Sequence, residues 1–339
     1  RFVVRVKIAQ NRDKWGVAMH EFCKLAALAL LGWAGVTAQA NDSVEEFLAE
    51  TGVRPGDQAM RELSAWRTPT KILIYGGWYI DPELESVLPD VEFVRTASIE
   101  EAMRVAPGVD AIIGSCRNDL LEAAARASWV QISGAGADRC MRTRRIVNGD
   151  VVLTNMQKMS SPVIAEHAMA MILALARSLP QYINAMDDGA WLDWDGEGAN
   201  RMQSVQGKTL LVAGLGGIGT EVAKRAAALG MRVIATRRSS REGPDFVDYV
   251  GLSEELFELA AEADFVVNAI PLTPTTENLF AAEFFDRAKP GMHFINVTRG
   301  KVVSTADLVD ALRSGKLAGA ALDVVEPEPL PKDHPLWQM

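Results

Sequence analysis

The glycines of Gly214-Leu-Gly216-Gly-Ile-Gly219 close an apolar run, Leu210 to Ala213. They open a segment whose apolar residues Val222, Ala223, Ala226, Ala227 and Leu229 recur at helical spacing. Strand, glycine turn and helix in that order suit the pyrophosphate of a dinucleotide. Gly214 permits the tight turn, Gly216 lets the backbone approach the phosphates, and Gly219 lets helix and strand pack closely. Gly217, Ile218 and Gly219 fall in the first helical turn, where free N–H groups and the positive end of the dipole attract anions. After the next apolar run, Met231 to Thr236, an NAD site carries a carboxylate for the ribose hydroxyl. This chain has Arg237-Arg238-Ser239-Ser240 there, and no carboxylate before Glu242. Two guanidiniums beside a hydroxyl fit a 2′-phosphate, so NADP(H) is the expected cofactor and NAD(H) the alternative.

These residues need a sheet to hold them. Strand patterns at 72–75, 91–94, 110–113, 129–133 and 151–154 alternate with helical patterns at 82–87, 99–105 and 120–127. That alternation predicts parallel pairing in a helix-flanked sheet. Ser161-Pro162 is expected to cap a long apolar helix reaching Leu175. Residues 181–206 read as a connection, and a second set of strands runs from Thr209 to Val324. The expected organisation is a helical extension over 41–69, one domain over 70–180 and a dinucleotide-binding domain over 207–339.

Residues 1–40 are left out of the fold. Lys24, the apolar run 25–36 and Ala38-Gln39-Ala40 have the order of an export signal, with an Ala/Leu-rich helix as the alternative. With 339 residues the chain can bury two cores. Its net charge of −9 leaves no basic surplus for nucleic acid. Cys23, Cys116 and Cys140 have neither disulfide-framework nor zinc spacing, so ordinary packing is expected of all of them and no metal site.

Further motifs agree in type and order with one family. They are Ser133-Gly-Ala-Gly-Ala-Asp138, Ile164-Ala-Glu-His167, Ile270-Pro-Leu-Thr-Pro-Thr-Thr276, Lys289-Pro-Gly-Met292, Asn296-Val-Thr-Arg-Gly300 and Leu322-Asp-Val-Val-Glu-Pro-Glu-Pro-Leu330. From Lys71 onward the chain resembles the D-isomer-specific 2-hydroxyacid dehydrogenases. The resemblance implies an α/β fold of two doubly wound parallel-sheet domains, a flavodoxin-like substrate domain and a Rossmann cofactor domain, with the active site in the cleft between them. It implies that Arg299 holds and polarises a 2-oxo acid, a task for which a guanidinium fork is suited. The amides of Gly134, Ala135 and Gly136 would bind the substrate carboxylate. Pro271, Thr276, Thr298 and Asp323 would line the cofactor.

Glu328 matches the glutamate that keeps a catalytic histidine protonated, and in the family that histidine sits in a Pro-His segment this chain does not reach. None of His20, His167, His293 and His334 is expected to replace it. The chain is therefore read as truncated before its general acid.

The expected activity is NADPH-dependent reduction of a small 2-oxo acid, with glyoxylate or hydroxypyruvate as plausible substrates. The alternatives are a nucleotide-sensing binding protein and an oxidative 3-phosphoglycerate-type dehydrogenase. A homodimer built on the cofactor domain and no stable membrane association are expected. NADPH supply favours the cytoplasm, and the leader-like segment offers the periplasm as the alternative.

Overall fold

In a computed structural model the described residues are 3–4, 60–76, 88–192 and 202–339. The expected helix at 82–87, most of the extension over 41–69, nearly all of the leader-like segment and Cys23 lie outside them. The chain divides into two compact units, 9–159 and 160–339 with 1–8.

The first unit holds a parallel sheet of strands β2 (Lys71–Tyr75), β3 (Glu92–Thr96), β4 (Ala111–Ile113), β5 (Trp129–Gln131) and β6 (Val152–Thr154), in the order β3-β2-β4-β5-β6. Counted within the unit this is 2-1-3-4-5, the flavodoxin-like order. Helices α1 (Ile99–Val105), α2 (Asn118–Ala123) and α3 (Arg144–Val147) follow β3, β4 and β5. Leu73, Ile112 and Val130 are fully buried and share one core with Ala102, Leu120, Leu121 and Ile146 from these helices. Of the extension, Met60–Glu62 forms a short 3-10 turn, and Trp66 packs on Trp129 with ring centroids 5.9 Å apart.

The second unit begins with helices α4 (Ser161–Ala176) and α5 (Leu179–Asp187). The sequence reading put α4 with the first domain and Ser161 at its cap. Instead Ser160 is the cap residue, Ser161 and Pro162 occupy the first turn, and Ser161 is buried. Ala165, Ala168, Met169 and Ile172 of α4 share a core with Val222, Ala223 and Ala226, so packing assigns the helix to the second unit.

Strands β7 (Thr209–Ala213), β8 (Arg232–Thr236), β9 (Tyr249–Gly251), β10 (Phe265–Asn268), β11 (Met292–Asn296) and β12 (Leu317–Leu322) form the second sheet, in the order β12-β11-β10-β7-β8-β9. Counted from β7 this is 3-2-1-4-5-6 read backwards, the Rossmann order. Helices α6 (Gly217–Ala228), α7 (Leu256–Ala260), α8 (Ala282–Arg287) and α9 (Thr305–Arg313) fill the crossovers. The reading that left residues before Asn41 out of the fold needs one correction. Val3–Val4 forms β1, parallel to the outer edge of β12 with Val3 opposite Ala320. β-branched residues suit that pairing, and it covers part of an open edge.

His293 lies in β11, stacked on Phe265 at 5.0 Å. Burial pushes its pKa down from 6.5 to about 4, against the opposing pull of Asp264. The unfolded chain therefore takes up this proton below about pH 6.5 and the folded chain only near 4. Stability should fall as pH drops through that window, by up to about 3 kcal/mol from this group alone. The check is chemical denaturation of the native chain and His293→Gln at pH 7 and pH 4.5. The variant should lose distinctly less stability on acidification, and equal losses would exclude His293 as the cause.

Candidate functional site

The glycine turn lies at the end of β7, between β8 and β10, where the sheet changes direction and open α/β sheets bind ligands. Its glycines have different reasons. Gly214 has φ +97°, and a Cβ there would come within 3.0 Å of the Ala269 carbonyl. A Cβ on Gly219 would stand 2.0 Å from the Gly214 oxygen and 2.9 Å from Val212 Cγ1. A Cβ on Gly216 would meet nothing within 4 Å. The fold thus demands Gly214 and Gly219 but leaves open space at Gly216, beside the first turn of α6, where Gly217, Ile218 and Gly219 lie. Open space against a helix N-terminus fits a pyrophosphate.

The loop after β8 carries the expected arginines. Arg237 is half-buried and donates from Nη1 to the Glu242 carbonyl at 3.0 Å; Arg238 and Ser239 are exposed. Arg241 adds a guanidinium that the sequence reading passed over. It pairs with Glu255 at 2.7 Å, and Tyr249 donates to the same carboxylate at 2.6 Å. Those bonds, Arg241 foremost, hold the Glu255 carboxyl well below its usual range, at about 2.

Arg299 follows β11, half-buried, with Nη1 donating to the Thr298 carbonyl at 2.8 Å. Behind it lies a polar pair that sequence reasoning missed. Asn268 and Asn296 face each other across β10 and β11, almost fully buried. Asn268 Nδ2 donates to Asn296 Oδ1 at 3.0 Å and to Thr298 Oγ1 at 2.9 Å. Asn296 Nδ2 donates to the Arg299 carbonyl at 3.0 Å, and Asn268 Oδ1 accepts from Ile270 N at 3.0 Å. In the next loop Thr276 Oγ1 donates to the Pro271 carbonyl at 2.7 Å, which closes 271–276 into a turn. Polar residues at the last position of adjacent strands were the available signal for the pair.

A Cβ on Gly300 would stand 2.0 Å from the Val325 carbonyl oxygen, so the Arg299 backbone is pressed against the segment leading to Glu328. Glu328 itself is exposed. Asp323 stands with one carboxylate oxygen 3.5 Å from His167 Nε2. His334 accepts from Leu336 N through Nδ1 at 3.3 Å, capping its own turn. His293 is the buried strand histidine described above. His20 lies outside the described residues. In the first unit Gly134, Ala135 and Gly136 form an exposed loop after β5. Asn155 Nδ2 donates to the Ala135 carbonyl at 2.8 Å. A Cβ on Gly134 would meet only Gly136 N, at 3.9 Å.

The cysteine expectation is overturned in this unit. Cys116 and Cys140 form a disulfide across 24 residues, with Cα atoms 5.3 Å apart. Sequence spacing could not show it, because β4 and β5 pair in parallel and only that pairing brings their following loops together.

Comparison with known proteins decides the family. The D-isomer specific 2-hydroxyacid dehydrogenase, NAD binding domain, matches residues 169–339. The chain belongs to the D-isomer specific 2-hydroxyacid dehydrogenase family. It is 41% identical over 179 residues to a human glyoxylate reductase/hydroxypyruvate reductase, covering 51% of this chain and 52% of that one. A family member from Aeromonas salmonicida superposes with TM-score 0.68 at 33% identity, covering 79% of this chain and 84% of that one. An NADPH-dependent glyoxylate/hydroxypyruvate reductase from Sinorhizobium meliloti, in complex with NADP and sulfate, gives TM-score 0.67 at 27% identity, with 80% and 85% covered. The chain thus spans about half the length of the human relative. Its nicotinamide-binding half is the family's, and a nicotinamide cofactor follows from that membership.

The glycine geometry separates folding from binding in this domain. Gly216→Ala should leave stability within about 0.5 kcal/mol while weakening dinucleotide binding at least about tenfold. Gly219→Ala should lose a few kcal/mol of stability, because a backbone oxygen occupies the place of the new carbon. Urea denaturation with fluorescence titration of NADPH checks both. Loss of stability in Gly216→Ala would show that the turn has no room reserved for a ligand.

Proposed function

We propose that the protein is an NADPH-dependent reductase of small 2-oxo acids, glyoxylate or hydroxypyruvate among them. The observation that carries this is Arg299, fixed by the Asn268–Asn296 pair in the same unit as the open Gly216 turn. Gly216 to Gly219 would hold the pyrophosphate, Pro271, Thr276, Thr298 and Asp323 the nicotinamide end, and Arg237 with Arg238 and Ser239 the 2′-phosphate. When bound there, a reduced nicotinamide supplies the hydride. Arg299 polarises the substrate carbonyl, which lowers the cost of charge developing on its oxygen. The amides of Gly134, Ala135 and Gly136 hold the carboxylate. Glu328, exposed, is the carboxylate that would keep a protonated imidazole in place, and no histidine among the described residues pairs with it. The NADP complex of the Sinorhizobium meliloti reductase supports the phosphorylated cofactor.

We further propose a homodimer. Leu179, Ile183 and Met186 lie on one face of α5 and are 46%, 56% and 77% exposed, and Trp191 just beyond is 91% exposed. An exposed apolar helix face of this kind marks an interaction surface. The double variant Ile183→Glu, Met186→Glu should sediment at half the mass of the native protein. A native chain that already sediments as a monomer would exclude the dimer.

The activity is tested by NADPH oxidation with a panel of 2-oxo acids. Arg237→Ala with Arg238→Ala should raise KM for NADPH at least about tenfold, two lost charge-assisted contacts, and leave KM for NADH within about twofold. Equal effects on both cofactors would refute the 2′-phosphate assignment. Binding of NADPH with no turnover of any acid would favour the sensing alternative.

A further inference from the structure

The loop assigned to the substrate carboxylate is anchored differently on its two sides. Towards β6, Asn155 holds the Ala135 carbonyl and Met156 N donates to the Gly134 carbonyl at 3.3 Å. On the other side, the chain two residues beyond Asp138 is joined covalently to the loop after β4 by Cys116–Cys140. Cys140 is 1% exposed and packs in the first unit's core beside Ile132 and Ile146. Two hydrogen bonds join the same pair of segments. Thr143 Oγ1 donates to the Cys116 carbonyl at 2.6 Å, and Arg144 N donates to Asn118 Oδ1 at 3.1 Å. Both cysteines follow the carboxyl ends of strands, the edge at which open α/β sheets bind their ligands.

We propose that the Cys116–Cys140 disulfide is a redox-sensitive clip that positions the Gly134–Gly136 loop for the substrate carboxylate. The proposal rests on the reading of those amides as the carboxylate site. With the bond closed, the loop is fixed at both sides and its amides are held ready for an anion, so little order is lost on binding. A dithiol reductant opens it by exchange. One thiolate attacks a cysteine sulfur and forms a mixed disulfide, and the second thiolate expels the remaining cysteine. Two electrons and two protons pass to Cys116 and Cys140, and the reductant leaves as a disulfide. The opened loop keeps its anchor to Asn155 and Met156 but loses the covalent one. Such a bond persists in an oxidising compartment, and in a reducing one the pair is held as the open dithiol.

The test uses the full chain carrying Cys23→Ser, so that any effect of reductant belongs to the remaining pair. A Cys116–Cys140 linked peptide should be recovered from protein isolated from its own cells under alkylating conditions. Reduction should raise KM for glyoxylate roughly tenfold, the scale expected when a loop must be ordered by its ligand, with kcat and KM for NADPH within about twofold. The double variant Cys116→Ser, Cys140→Ser should show the raised KM without reductant and no further response to it. Absence of the linked peptide overturns the proposal. So does an unchanged KM, or a parallel change in kcat and KM for NADPH, which would mark a general structural staple. If the oxidised chain turns over no 2-oxo acid, the proposed activity fails by itself and hydrogen exchange decides the clip. Faster exchange on reduction confined to 114–143 supports it, and unchanged exchange there overturns it.

Discussion

The second unit depends on a backbone approach that only glycine allows. Gly219 sits so close to the Gly214 carbonyl that a single added carbon would overlap its oxygen. That contact brings α6 down onto β7 and buries Val222, Ala223 and Ala226 against Leu210 and Val212. It also aims the first turn of α6 at the open space beside Gly216. Gly300 repeats the device at the same carboxyl edge of the sheet, after β11, where the chain carrying Arg299 presses on the Val325 carbonyl. Both approaches replace side-chain packing by main-chain contact, so the groups beside them are placed by backbone geometry and not by rotamers. For a site that must hold charge in a fixed place, that rigidity is the useful property.

Local patterns carried most of the fold into the sequence. Alternating strand and helix periods predict parallel sheets with right-handed crossovers, while the two strand orders are implied by the family resemblance and not by the periods. What the sequence hid is long-range. Asn268 and Asn296 are ordinary strand-end residues until β10 and β11 pair and bring their amides together. Cys116 and Cys140 are unremarkable in spacing until β4 and β5 pair. The helix from Ser161 follows the first set of strands in sequence, yet its buried alanines match the small residues of α6. In each case the partner lies in a different element, and a periodicity argument sees one element at a time.

The loop after β8 shows why residue type alone undercounts a binding surface. The sequence offers Arg237 and Arg238 as anion partners because no carboxylate is near in the chain. In the fold Glu255 comes in from the segment after β9, and its carboxylate is tied to Arg241 and Tyr249. Held low in pKa, it stays ionised at any physiological pH, so its charge is permanently set against Arg241. Arg237 is committed through one hydrogen bond to a neutral carbonyl and keeps its full charge and its remaining donors. The positive field of this loop therefore belongs to residues 237–238. Arg241 acts there as a strut that fixes the end of the loop against β9.

The Asn268–Asn296 pair does for the loops after β10 and β11 what the glycines do for the helix. Buried amides are costly unless every donor and acceptor is used. Asn296 Oδ1 accepts from Asn268 Nδ2 and from Thr298 N at 3.2 Å, and its Nδ2 reaches the Arg299 carbonyl. Asn268 gives its second proton to Thr298 Oγ1 and takes the Ile270 amide. One hydrogen-bonded network thus ties the chain leading to Pro271 and Thr276 to the chain carrying Thr298 and Arg299. An aspartate in place of Asn296 would keep the acceptor but lose the donor to Arg299, and would bury a charge. A leucine would leave Thr298 N and the Arg299 carbonyl without these partners. Only an amide satisfies both sides at once, so these buried residues fix the geometry of a charged site without contributing charge to it.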